Sequence, residues 1–127
     1  MDRLRQRADF LAAAKGPRAP SVAFVVQSRT RDDEGSPRIG FTVSRKVGSA
    51  TERNRVRRRL REAVKHVDGT LLRRGRDYVL VGRRAALSRD FQALLDDLRA
   101  ALRRLERRPA PENSRENSSP NSRQDSR

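Results

Sequence analysis

Apolar side chains recur along this chain in blocks whose spacing switches between helical and extended. From about Arg5 to Lys15, Phe10, Leu11 and Ala14 fall on one side and Gly16-Pro17 ends the pattern, which predicts a short helix. Val22, Phe24, Val25 and Val26 predict a strand over Ser21–Arg29. After a polar turn at Asp32–Pro37, Ile39, Phe41 and Val43 alternate with smaller or polar residues from Arg38 to Lys46, as in a strand with one buried face. The two strands are expected to pair as an antiparallel hairpin. Ser49-Ala50-Thr51-Glu52 reads as a capping box. Behind it Val56, Leu60, Val64 and Val67, with Ala63, hold helical spacing up to a stop at Gly69. Asp77–Gly82 is nearly continuous in apolar residues, hence a buried strand. A last helix begins near Ser88, with Phe91, Leu94, Leu95, Leu98, Leu102 and Leu105 in period. The expected class is α+β: a two-layer sandwich with helices on one face of a mixed sheet and a strand–helix–strand crossover through the middle helix. No internal repeat is visible.

Composition divides the chain. Residues 1–108 can bury a modest core, whereas 109–127 carry Pro, Glu, Asn, Ser and Arg without a large apolar side chain and are expected to be a disordered polar tail. Glu112, Glu116 and Asp125 mix with the arginines there, so plain disorder is favoured over a basic RNA-binding arm.

Charge changes the picture more. Lys and Arg number 31 against 16 Asp and Glu, a net charge of +15. Six of the nine residues from Arg53 to Arg61 are arginine and none is acidic. A charged helix face is ordinarily solvated, but such a face mixes signs. Like charges three or four residues apart repel, and a field of one sign is best explained by a polyanion that neutralises it. Arginine suits phosphate because its planar fork binds bidentately. A membrane surface fits less well, since the apolar stripe carries valines, one leucine and alanine rather than aromatics.

Other chemistries find little support. The chain has no cysteine, which excludes a disulfide framework and thiolate metal sites. Its single histidine, His66, reads as a surface residue at a helix end. Asp32-Asp33-Glu34 in a turn and Asp96-Asp97 on the last helix are scattered, so a self-sufficient nuclease lacks both a carboxylate cluster and a histidine pair. Charges near the N-terminus with no apolar run behind them predict neither a signal peptide nor a membrane span, and a cytoplasmic protein.

Gly40-Phe41-Thr42-Val43-Ser44-Arg45-Lys46-Val47-Gly48, followed by Glu52-Arg53-Asn54-Arg55-Val56-Arg57-Arg58-Arg59-Leu60-Arg61-Glu62, resembles the protein subunit of bacterial ribonuclease P. Asp9-Phe10 and Asp77-Tyr78-Val79 match as well, and the likeness runs from Arg3-Leu4 to about Leu105. The letters RNR alone are weak. They become specific when a G-(F/L)-(T/S)-V-(S/A)-(R/K)-K strand precedes them.

The resemblance implies a fold like the second domain of ribosomal protein S5, with a left-handed strand–helix–strand crossover through the basic helix. It implies a ribonucleoprotein endoribonuclease, a hydrolase of tRNA processing, in which a catalytic RNA subunit carries the chemistry. Mg2+ would be held mainly by that RNA and none by the protein alone. The protein would bind the RNA subunit and the 5′ leader of precursor tRNA, with no membrane and no protein partner required. Arg45, Lys46, Arg53, Asn54, Arg55, Arg57, Arg58 and Arg61 match the basic motif that faces the RNA subunit. Phe10 matches an aromatic of the leader cleft, and Phe24 and Phe41 lie in the strands beneath it. The chain departs from the family at Ala14 and Gln27, where members often carry further aromatics, so fewer leader bases are expected to stack. A ribosomal or other structural RNA-binding protein is the alternative, and the Gly40–Lys46 strand joined to the arginine helix argues against it.

Overall fold

The computed structural model describes residues 2–107, so the 109–127 tail lies outside the described residues. The elements run β1 (Asp2–Arg3), α1 (Arg7–Ala14), β2 (Arg18–Pro20), β3 (Phe24–Thr30), β4 (Arg38–Thr42), α2 (Ala50–Lys65), β5 (Arg76–Gly82) and α3 (Phe91–Arg107). The five strands form one mixed sheet in the order β1-β4-β5-β3-β2. β4 runs parallel to both β1 and β5, while β3 is antiparallel to both β5 and β2.

The expected hairpin between β3 and β4 does not form, because β5 lies between them. The reason is burial. Tyr78 and Leu80 of β5 face one core, Val79 the other, and all three are at most 1% exposed. A strand apolar on both faces belongs at the centre of a sheet. The strand predicted from Ser21 starts at Phe24, and Arg18–Pro20, ahead of the predicted start, forms a separate edge strand, β2. The next ends at Thr42, so Arg45 and Lys46 sit in a short 3-10 turn (Arg45–Val47) rather than in a strand.

The helices do not share one face either. α2 and α3 cover the side carrying Phe24, Val26, Ile39, Tyr78 and Leu80. α1 packs on the other side, where Ala13 meets Val79 and Leu4. The two-layer description therefore fits α2, α3 and the sheet, and α1 adds a partial third layer. Strand alternation makes this arrangement: residues 77, 79 and 81 point away from 78 and 80.

α2 starts as the sequence indicates. The Ser49 N–H donates to Glu52 Oε1 at 2.9 Å, and the Glu52 N–H donates to Ser49 Oγ at 3.2 Å. Gly48 makes room for this: a Cβ there would lie 2.2 Å from Glu52 Oε1, and its φ of 156° suits glycine. Val56, Leu60, Ala63 and Val64 form the buried stripe. The helix stops at Lys65, earlier than Gly69, with His66 as its C-cap. That histidine is exposed and packs its ring edge-on to Phe91. α3 begins three residues after Ser88, capped by Asp90, whose carboxylate accepts from the Ala93 N–H at 3.1 Å. Leu94, Leu95, Leu98, Ala101, Leu102 and Leu105 are its buried stripe.

Candidate nucleic-acid interface

Between α1 and the open face of the sheet lies a groove of about 460 Å³. Val79 and Val81 floor it, and Phe10, Leu11, Thr42 and Gln27 wall it, with Arg5 and Arg7 at its mouth. Phe10 is half-buried, its ring lying directly on Gly40 of β4. A Cβ at Gly40 would come within 2.6 Å of Phe10 Cε1 and Cζ, so only glycine lets the ring settle there. Ala14 and Gln27, the two departures noted in the sequence, line the same groove. Phe24 is fully buried and belongs to the core.

The basic residues occupy three settings. Arg45, Lys46, Asn54, Arg55, Arg58 and Arg61 are exposed. Arg57 is half-buried, and its Nη1 donates to Asn54 Oδ1 at 3.0 Å. Arg53 is also half-buried, and its Nε is shielded with no hydrogen-bond partner in the protein. Arg59 differs in kind: it reaches across to donate to the Arg89 carbonyl, tying α2 to the start of α3. Its guanidinium is thereby engaged within the protein.

The two surfaces meet around the edge of β4, where two-residue β1 leaves the strand uncovered. A recess of about 200 Å³ is lined by Phe10 and Gly40 from the groove side and by Arg57 and Arg61 from α2. Phe41 joins them, half-buried, with the Arg61 guanidinium 5.6 Å from its ring centroid. That is within cation–π range. Beyond it a second recess of about 320 Å³ continues past Phe41 and Val64 to Lys65. A groove lined by the rings of Phe10 and Phe41 thus opens into a row of cations. Base stacking on an aromatic floor beside backbone-tracking charges is the usual physics of single-stranded nucleic-acid binding.

Sequence reasoning missed a buried charge cluster. Asp77, read from the sequence as the first residue of an apolar run and as part of a family match but not as a buried charge, is 0% exposed. It accepts from Arg31 Nη1 at 2.6 Å and from Arg38 Nε and Nη2 at 2.8 Å each. Arg29 Nε stands 3.2 Å from its other face. Burial raises the Asp77 carboxyl, but the hydrogen bonds from Arg38 and Arg31 outweigh it and hold the group below the usual carboxylate range. The available signal was a lone aspartate opening an apolar strand, with Arg29 and Arg38 in the flanking strands and Arg31 just past the end of β3.

Among the described residues no three His, Cys, Asp or Glu side chains converge. Asp33 in the acidic turn is engaged by Arg31 Nη2 at 3.0 Å and by the Gly35 N–H at 2.9 Å. Among the described residues no helix is long and apolar enough to cross a membrane.

The ribonuclease P family model matches residues 1–106. The chain belongs to the ribonuclease P protein family. It is 50% identical over 103 residues to the ribonuclease P protein component of Gluconacetobacter diazotrophicus, covering 80% of this chain and 89% of that one. With the same component of Ruegeria pomeroyi it shares 51% over 105 residues, covering 80% and 84%. Among solved structures, the RNase P protein of Thermotoga maritima aligns with a TM-score of 0.68 at 31% identity, over 82% of this chain and 97% of that one. The Staphylococcus aureus RNase P protein aligns at 0.67 and 25%, over 84% and 96%. The chain is thus a ribonuclease P protein component acting in tRNA processing, with RNA binding as its general role. The mixed α+β fold with its five-stranded sheet is that of the family's solved members.

Proposed function

We propose that this protein assembles with a catalytic RNA through the outer face of α2 and holds the 5′ leader of precursor tRNA in the groove beside α1. The RNA carries the hydrolysis and most of the Mg2+, and the protein supplies substrate affinity in the cytoplasm. The observation that carries the reading is the junction at β4, where Phe10 of α1 and Phe41 of β4 open onto Arg57 and Arg61. Arg45, Lys46, Arg53, Asn54, Arg55, Arg57, Arg58 and Arg61 form the face toward the RNA subunit. Arg57 and Arg61 also border the path of the leader. The finer fold reading goes with it: β4, α2 and β5 form the left-handed crossover of the S5-like arrangement.

The test is Phe10→Ala in the assembled holoenzyme. Loss of one stacked base costs about 1–3 kcal/mol, roughly five- to 150-fold in affinity. Precursor tRNA should weaken by that factor while mature tRNA binding stays unchanged. Equal loss for both, with an early melting transition, would return Phe10 to a purely structural role.

A further inference from the structure

We infer that the buried Asp77 carboxylate, acting through Arg29 and Arg38 on Asp9, fixes α1 against the sheet, so that Asp9 is a positioning residue for leader affinity. This inference rests on the reading of the α1 groove as the leader site. α1 has eight residues, of which only Ala13 is fully buried. A helix that short is not self-supporting in water, and its apolar burial is slight. A charged tie supplements it. Asp9 Oδ1 lies 3.2 Å from Arg29 Nη2 and 3.5 Å from Arg38 Nη2, and the Asp9 side chain is only 16% exposed. Both arginines are themselves held on Asp77, with Arg31 closing the cluster from a third side. Cations already ordered in this way lose little further freedom on pairing with Asp9, so this contact exceeds an ordinary surface ion pair.

Phe10 follows Asp9 directly, and its ring already touches the sheet at Gly40. With no slack inward, releasing Asp9 can only move the ring outward, away from the position where a base would stack. The sign of the effect is diagnostic. Asp9 is an anion beside a polyanion site, so removing its charge should tighten RNA binding on electrostatic grounds alone. The positioning role requires the opposite.

The experiment uses holoenzyme reconstituted with the full chain and precursor tRNAs bearing either a full or a one-nucleotide leader. Asp9→Asn is expected to raise KM for the full-leader substrate about three- to tenfold, leaving kcat at saturation, the short-leader substrate and affinity for the RNA subunit unchanged. Asp9→Glu, which keeps the charge, should recover most of the loss. Asp96→Asn, removing an exposed acid on α3, should not weaken binding. Combined with Phe10→Ala, Asp9→Asn should add nothing, because it acts through that ring. Unchanged or tighter binding by Asp9→Asn, loss independent of leader length, or additive losses in the double variant would each overturn the inference. If Phe10→Ala alone fails to distinguish the two leaders, the groove reading falls and takes the inference with it. If Phe10→Ala distinguishes them and Asp9→Asn does not, only the positioning role falls.

Discussion

Asp77→Asn is the most informative single perturbation of the fold. The substitution preserves shape and removes one charge from a site that is 0% exposed. Arg31 and Arg38 lose a carboxylate that takes three hydrogen bonds of 2.6–2.8 Å. A carboxamide offers one acceptor oxygen, and its NH2 would face a guanidinium. Breaking a buried charge pair from one side costs about 3–5 kcal/mol. The lower end applies, because Arg29 and Arg38 keep 29% and 28% side-chain exposure and retain Asp9 as a partner. A loss of about 3 kcal/mol in a domain of this size lowers Tm by roughly 10–20 °C. The pH dependence supplies a second check. The folded carboxyl is held below its ordinary range, so its stabilisation is fully present above the unfolded pKa, near 4. It is lost as pH falls through the folded value. The gap between parent and variant should therefore be full at neutral pH and shrink only below about pH 4. Thermal or urea unfolding followed by circular dichroism from neutral to strongly acidic pH reads both. A neutral-pH Tm change of only a degree or two, or a gap constant down to the lowest pH, would refute the reasoning.

Two further outcomes follow from the interface. Replacing exposed Arg55 and Arg58 together by alanine should weaken binding to the RNA subunit and lower the log–log salt slope by about 0.7–0.9 per lost phosphate contact, with an unchanged melting temperature; a filter-binding salt titration with an unchanged slope would mark both as merely solvated. Gly40→Ala would place a Cβ 2.6 Å from the Phe10 ring, so it should lift the ring and weaken full-leader precursor binding by up to the loss seen with Phe10→Ala, measured against a one-nucleotide leader as control.

The helical half of this fold was open to sequence reasoning because its signals are local. The Ser49–Glu52 capping box and the Val56, Leu60, Val64 stripe specify α2 without reference to anything distant. Strand order was not, because it depends on which strand is buried on both faces. Val79 and Tyr78 both being core was visible as an apolar run, yet that run alone could not say that β5 separates β3 from β4. The short strands β1 and β2 exist only through their partners. The site divides in the same way. The arginine face could be read from charge alone, and Phe10 from its place in the motif. Phe41 under Arg61, and the cluster around Asp77, required residues from separate strands and helices to be brought together. Ion pairs spanning 39 and 46 positions along the chain leave no short-range pattern.

The central claim is that this protein serves an RNA catalyst and does not cleave by itself. The direct measurement is 5′-leader removal from a precursor tRNA by the protein alone, by a bacterial ribonuclease P RNA alone at low Mg2+, and by the two together. The account predicts no cleavage by protein alone, and cleavage by the pair at Mg2+ concentrations where the RNA alone is slow, with tighter binding of precursor than of mature tRNA. Site-specific cleavage by RNA-free protein, or a pair no better than the RNA alone, would contradict it.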